Sequence, residues 1–265
     1  MIKIKEINTY LNEVAPYSLQ EGYDNAGHLI GDPEMECTGV ITCLDSTEAV
    51  IDEAIEMGCN LVIAHHPIVF RGLKRFTGSN YIERVVMKAI KNDIAIIASH
   101  TNLDNVLQDG VNGKIAEKLG LIKTQPLLKK EVEIPGVIGS GVIGELASEM
   151  KAMDFLKFLK ETMQVSVVKY TSILEDSIKK VAVCGGAGGF LLNEAIRQNA
   201  DVFITGDYKY HEFFDADGKI IIADIGHYES EQFTIELLHD LISQKFATFA
   251  THFTKVNTNP VNYLC

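Results

Sequence analysis

The sequence contains no run of about 18 apolar residues, so no membrane-spanning helix is expected. Its opening stretch, MIKIKEINTYLNEV, has charges scattered through it and lacks the uninterrupted apolar core of a secretory signal. An amphipathic helix and a cytoplasmic location are expected instead. Basic residues are in short supply: 24 Lys and Arg against 36 Asp and Glu leave a formal net charge of −12. With no basic stripe and no Arg-rich arm, nucleic acid is not expected as the main partner. The five cysteines, Cys37, Cys43, Cys59, Cys184 and Cys265, include no C-x-x-C pair. Their odd number fits a reducing compartment, where they serve as small buried hydrophobes; Cys265, the last residue, is expected to be an exposed thiol. Also missing are G-x-G-x-x-G and a P-loop lysine. The Gly-rich stretch CGGAGGF (184–190) is therefore read as a tightly packed strand-to-helix turn before it is read as a phosphate cradle.

What is present is a globular composition, 46% hydrophobic and 23% charged, able to bury a full core. The first half alternates strand and helix signals. Strands are expected at 39–44, 60–64 and 94–98, and helices at 45–58, 81–93 and 111–120. Asp45 with Glu48 resembles a capping box, Ser46 is a rival cap, and Gly58 suits the helix stop. Short apolar strands separated by helices imply a mostly parallel sheet covered on both faces. Between about 123 and 145 prolines and glycines accumulate, with a hairpin expected around Gly139–Gly141. A helix over 149–163 and a strand over 165–170 follow.

The opening pattern then returns. VITCLDSTEAVIDEAIEMGCNLVIAHH (40–66) can be laid over VAVCGGAGGFLLNEAIRQNADVFITGD (181–207), both running strand, turn, helix, strand. In this alignment His65-His66 fall on Gly206-Asp207. IAIIASHTNLD (94–104) matches KIIIADIGHYESE (219–231), with His100 and Asp104 on His227 and Glu231. The expected fold is α/β: two related α/β domains from an internal repeat, each a mostly parallel or mixed sheet flanked by helices, with a metal cleft between them. The division is placed at 1–125 and 126–265, with the C-terminal segment packing back on the first half.

The conspicuous polar residues all follow expected strands, and ligands of open α/β sheets bind outside the carboxyl ends of strands. His65 and His66 lie in LVIAHHPIVF (61–70), where Pro67 suits a sharp exit from the sheet. Imidazoles with carboxylates and no thiolates suit zinc, iron, manganese, nickel or cobalt. Two neighbouring histidines do not easily serve one ion, but can serve one ion each where a carboxylate bridges the ions; Asp104 and Glu231 are both candidates for that bridge. A pair of ions could activate a water and polarise a substrate oxygen. His227 and Glu231 are spaced i, i+4, so both face one way if a single helix runs from near His227 through YESEQFTIELLHDLI. Asp207, Lys209, His211 and Glu212 follow another strand and could contact substrate. His239 and His252 are read as structural.

Together, YDNAGHLIGDP, LVIAHHPIVF, ASHTNLD, ITGDYKYHE and DIGHYESE resemble, in the same order, the NIF-three-like dinuclear metal-centre family, also filed as GTP cyclohydrolase 1 type 2 homologues. The resemblance runs from about Ile4 to Tyr263. It implies a pair of divalent metal ions held by His65, His66, Asp104, His227 and Glu231, and a toroidal homo-hexamer. It puts His100 beside the metals and Asp24, Asn25 and His28 near the cleft. The activity expected is a metal-dependent hydrolase that acts through a metal-bound water on a small or nucleotide-like substrate, with Lys209 or the 185–189 turn holding an anionic group. The alternative is a non-catalytic metal-binding oligomer for metal storage, delivery or protein interaction. Nothing in the sequence supports guanine recognition.

Overall fold

The computed structural model describes residues 1–174 and 177–264. Cys265 lies outside the described residues, and with it the expectation of an exposed thiol. In chain order the elements are α1 (Ile4–Val14), β1 (Gly27–Ile30), β2 (Gly39–Cys43), α2 (Glu48–Glu56), β3 (Leu61–Ala64), α3 (Tyr81–Lys91), β4 (Ala95–Ala98), α4 (Thr101–Asp104), α5 (Val111–Lys118), β5 (Ile122–Lys129), β6 (Gly139–Lys151), α6 (Ala152–Thr162), β7 (Lys169–Tyr170), β8 (Ser177–Val183), α7 (Leu192–Arg197), β9 (Val202–Thr205), β10 (Ile221–Asp224), α8 (His227–Glu231), α9 (Thr234–Lys245) and β11 (Ala250–Phe253). Among the described residues no helix is long and apolar enough to cross a membrane.

The chain forms two compact units, residues 1–103 with 234–260, and residues 104–233 with 261–265. This division differs from the expected one at 125/126. Helix α5 packs on β6, β8 and α8, which draws the segment after Leu103 into the second unit. Helix α9 and β11 pack on β2, so most of the C-terminal segment sits in the first.

The first unit is built on a sheet in the order β1-β4-β3-β2-β11, parallel except for β1. Strands β2, β3 and β4 are buried along their whole length, which explains their unbroken apolar runs. Helix α2 starts later than expected. Its N-cap is Thr47, whose side chain accepts from the Val50 amide, and neither Asp45 nor Ser46 caps it.

The second unit is a mixed sheet in the order β5-β6-β8-β9-β10-β7, with β8, β9 and β10 parallel. The hairpin turn does not fall at Gly139–Gly141. Gly139 already pairs with Lys129, so those glycines open β6, and the turn lies between β5 and β6. Strand β6 continues to Lys151, which delays α6 to Ala152. Only Lys169 and Tyr170 of the expected strand 165–170 pair, with β10. Likewise the single helix expected after His227 is two, α8 and α9, because the chain leaves one unit for the other between Phe233 and Thr234. In both units three consecutive parallel strands are joined by helical connections: β2, β3 and β4 through α2 and α3 in one, β8, β9 and β10 through α7 and the 3-10 turn Tyr210–Ala216 in the other. This is the repeat read from the sequence.

Candidate metal centre

In the first unit the polar residues gather at the carboxyl ends of β2, β3 and β4. Backbone pairing with β2 continues past Ala64: the His65 amide donates to the Cys43 carbonyl at 3.1 Å and the His66 amide to the Leu44 carbonyl at 2.9 Å. The side chains nevertheless do not diverge as on a regular strand, for the two ring centroids lie 4.9 Å apart and inclined by 47°. His65 is fully buried. His100, just after β4, completes a trio with centroid distances of 5.2 Å to His65 and 5.5 Å to His66.

Each ring is oriented through Nδ1. That of His65 donates to the Ser99 carbonyl at 2.8 Å, that of His66 to Asp45 Oδ1 at 2.8 Å, and that of His100 to Asp24 Oδ1 at 2.7 Å. A neutral imidazole with its proton on Nδ1 carries its lone pair on Nε2, the state a metal requires. The two carboxylates are poised to stay ionised. Burial opposes this at Asp24, but hydrogen bonds from His100 and Thr101 outweigh it and hold the carboxyl at about 2. At Asp45 burial is likewise outweighed by His66 and by Thr258, whose hydroxyl donates to Oδ2 at 2.8 Å.

In the second unit the corresponding strand ends carry carboxylates. His227 and Glu231 open and close α8, with Nε2 of the first 3.1 Å from Oε2 of the second. His227 Nδ1 donates to Asp207 Oδ2 at 2.8 Å, which leaves Nε2 as the ring atom that faces Glu231. A carboxylate oxygen and a ring nitrogen at that distance require a proton or a cation between them, and a metal ion meets that requirement as a proton does.

Glu231 is pressed against the Gly-rich turn. A Cβ on Gly186, which has φ +62°, would collide with its Oε1, and one on Gly185 would sit 3.2 Å from its Cγ. The amides of that turn are already used: Gly185 donates to Asn112 Oδ1, Gly186 to Ser230 Oγ and Gly188 to Thr205 Oγ1. The turn therefore seats the carboxylate and does not offer those amides to a phosphate. Asp104 ends α4, and its carbonyl accepts from Asn112 Nδ2 at 3.0 Å. Burial, with the charges of Asp104 and Glu231 behind it, pushes the Cys184 thiol up, which keeps it a neutral hydrophobe.

The remaining expected residues are placed as follows. Asn25 donates through Nδ2 to the Val69 carbonyl at 2.5 Å, and His28 in β1 turns its Nε2 to the Gly31 carbonyl. Lys209 pairs with Glu212 at 3.4 Å, and His211 stacks edge-on against Tyr210; both side chains lie on the exposed turn after β9. His239 contacts Asp240 and Phe253, away from the trio. Sequence reasoning missed the orienting roles of Asp45, Asp24, Asp207 and the Ser99 carbonyl. For Asp45 the signal was its place at the end of β2, beside the strand that carries His66.

A family model described as Duf34/NIF3 (NGG1p interacting factor 3) matches residues 2–260. The chain belongs to the Duf34/NIF3 family. It is similar to a protein of Clostridium perfringens named GTP cyclohydrolase 1 type 2 homolog, with 37% identity over 233 residues and 87% of each chain covered. A Staphylococcus epidermidis relative of the same name is 28% identical across 99% of this chain; that alignment runs over 368 positions, so the relative carries an insertion. Among solved structures, a hypothetical protein of Staphylococcus aureus superposes with a TM-score of 0.92 at 32% identity, covering 99% of both chains. A Bacillus cereus protein related to NIF3 gives 0.90 at 25% identity, covering 100% of both. In this Duf34/NIF3 chain the histidine and carboxylate groups just described could hold a metal ion.

Proposed function

We propose that the protein binds two divalent transition-metal ions through His65, His66, Asp104, His227 and Glu231, and uses them as a hydrolase acting on a small or nucleotide-like substrate. The observation that carries this reading is the uniform anchoring of His65, His66 and His227 through Nδ1 to an oxygen acceptor, the arrangement by which proteins orient metal-binding imidazoles. The donor set of neutral imidazoles and carboxylates fits zinc, iron, manganese, nickel or cobalt. When bound, such a pair supplies Lewis acidity toward an oxygen and lowers the pKa of water. The chain's own contribution is orientation: Asp45, Asp207 and the Ser99 carbonyl hold the ring protons on Nδ1, and the 185–186 turn fixes Glu231.

The name GTP cyclohydrolase, carried by relatives, is not adopted for this chain. Among the described residues, the His and carboxylate groups that could hold a metal ion include no cysteine. The toroidal homo-hexamer implied by the resemblance is part of this proposal.

Metal analysis of protein purified without chelator is the first test, expected to give about two ions per chain and a loss in His65→Ala. Content below about one ion per chain, with no change in that variant, overturns the site assignment. Turnover is then sought on nucleotides, phosphoesters and cyclic amides with several divalent metals. Activity that disappears in Glu231→Ala and Asp104→Ala supports the hydrolase. Tight metal binding with no turnover on any of them replaces it with the non-catalytic metal-binding oligomer.

A further inference from the structure

Arginine is scarce in this chain, with four residues in all. Arg84 and Arg197 are paired with Glu48 and Glu194. The other two, Arg71 and Arg75, stand with Lys74 in FRGLKRF (70–76), and all three are exposed. Among the described residues none of these three cations has an ion-pair partner. No Asp or Glu occurs between Glu56 and Glu83, in a chain whose formal net charge is −12. A local positive field on an acidic molecule draws anions to that place. The loop is held at three points. Asn25 Nδ2 donates to the Val69 carbonyl before it, Leu73 packs on the hydrophobic core of the first unit, and Glu83 accepts from the Thr77 amide after it. Phe70 opens the loop beside the histidines, its ring 6.3 Å from that of His100 and 6.2 Å from that of Tyr23. Tyr23 is 65% exposed and Phe70 41%. The backbone around Tyr23 is nevertheless pinned, with the Glu21 amide donating to Thr101 Oγ1 and the Ala26 amide to Gln20 Oε1. Aromatic rings left open to solvent on a fixed backbone offer a planar ligand a surface at little cost in ordering. All of these residues belong to the first unit.

We propose that Tyr23, Phe70, Arg71, Lys74 and Arg75 form the substrate-recognition subsite of this centre, and that its ligand is a mononucleotide. The aromatic pair takes the base, and the three cations take the phosphate. The proposal rests on the reading that a small substrate is handled here, but the binding itself needs no turnover. Every base has a face to stack on an aromatic ring, and a guanidinium meets phosphate oxygens two at a time. The loop thus fills a role left open elsewhere, since the amides of the Gly-rich turn are occupied and Lys209 pairs with Glu212.

The test is calorimetric titration of the full chain, as purified, with AMP, adenosine and inorganic phosphate. AMP is expected to bind at least about tenfold more tightly than either of the others, with an affinity that falls as salt is raised. The triple variant Arg71→Gln, Lys74→Gln, Arg75→Gln is expected to weaken AMP at least about tenfold and to leave adenosine, metal content and Tm unchanged. Tyr23→Ala is expected to weaken AMP and adenosine alike. AMP that binds no more tightly than adenosine overturns the proposal, as does a triple variant that binds AMP like the parent chain. If the triple variant does not fold, the single Arg71→Gln and Arg75→Gln variants decide, and unchanged AMP affinity in both overturns it. A single-stranded oligonucleotide that binds more tightly than AMP through the same cations also overturns it, in favour of a nucleic-acid surface. Loop-dependent AMP binding with no turnover on any substrate ends the hydrolase and leaves this subsite standing. Turnover of nucleotides whose KM ignores the triple substitution ends the subsite and leaves the hydrolase, so the two failures are distinct.

Discussion

An imidazole offers a metal one nitrogen only when the other is told to keep the proton. Asp45 does this for His66 and Asp207 for His227. Replacing either by Ala is expected to weaken metal binding by about 10- to 100-fold without removing a ligand. Competition with a chromogenic chelator measures this, and an unchanged affinity in both variants would refute the orienting role. A second prediction concerns Gly186, whose φ of +62° and contact with Glu231 Oε1 leave no space for a Cβ. Gly186→Ala is expected to destabilise the fold by about 1 kcal/mol or more and to displace the carboxylate, so that Tm and metal content fall together. Gly206 is similarly constrained: a Cβ there would lie 2.8 Å from Gly226 backbone atoms and the His227 amide. Its repeat counterpart is His65, so the two halves spend the same strand-end position on opposite purposes, a proposed ligand in one and a close backbone approach in the other.

At the scale of elements, the segment before α3 is organised by one carboxylate. Glu83 accepts from the Thr77 amide at 2.8 Å, from the Ser79 amide at 3.1 Å, and from the hydroxyls of both residues, while Asn80 caps the helix by accepting from the Glu83 amide. These hydrogen bonds, led by the Thr77 amide, lower its pKa from 4.5 to about 2. A carboxylate with a depressed folded pKa stabilises fully above its unfolded value, and that contribution fades as pH falls from about 4.5 toward about 2. Hydrogen-exchange mass spectrometry of residues 76–83 should show protection lost across that window, and Glu83→Gln should show the loss already at neutral pH. Protection insensitive to both would contradict the assignment. The parallel strands are a different kind of element, held by their backbone ladders and by side chains buried on both faces. Ile63 is fully buried in β3, and Ile63→Ala is expected to cost about 2–5 kcal/mol, read by denaturant unfolding.

For the whole molecule, a ligand that binds only the folded chain stabilises it by mass action, by about 2.7 kcal/mol at a hundred times its Kd. Chelator treatment is therefore expected to lower Tm, and added zinc or cobalt to restore it. A Tm indifferent to both would count against the resident metal site. Sedimentation of the purified chain tests the hexamer, and a monomer at micromolar concentration would remove it from the proposal.

The sequence by itself determined the parallel strands β2, β3 and β4, the internal repeat and the family, because buried strands read as apolar runs and His65-His66, His100, His227 and Glu231 all stand just after such runs. Local pattern could not decide which residue a side chain meets across the fold. Asp45 reads as a helix cap because capping is a matter of sequence neighbours; it is instead a partner of His66, 21 residues on, because β2 and β3 lie side by side. The 184–190 glycines look available to a phosphate until Asn112, Ser230 and Thr205 are seen to occupy their amides. The unit boundary and the break between α8 and α9 belong to the same class, since each depends on which sheet a segment packs against. Backbone propensity and hydrophobic period act over a few residues; hydrogen-bond partners and packing faces are assigned only when distant strands meet.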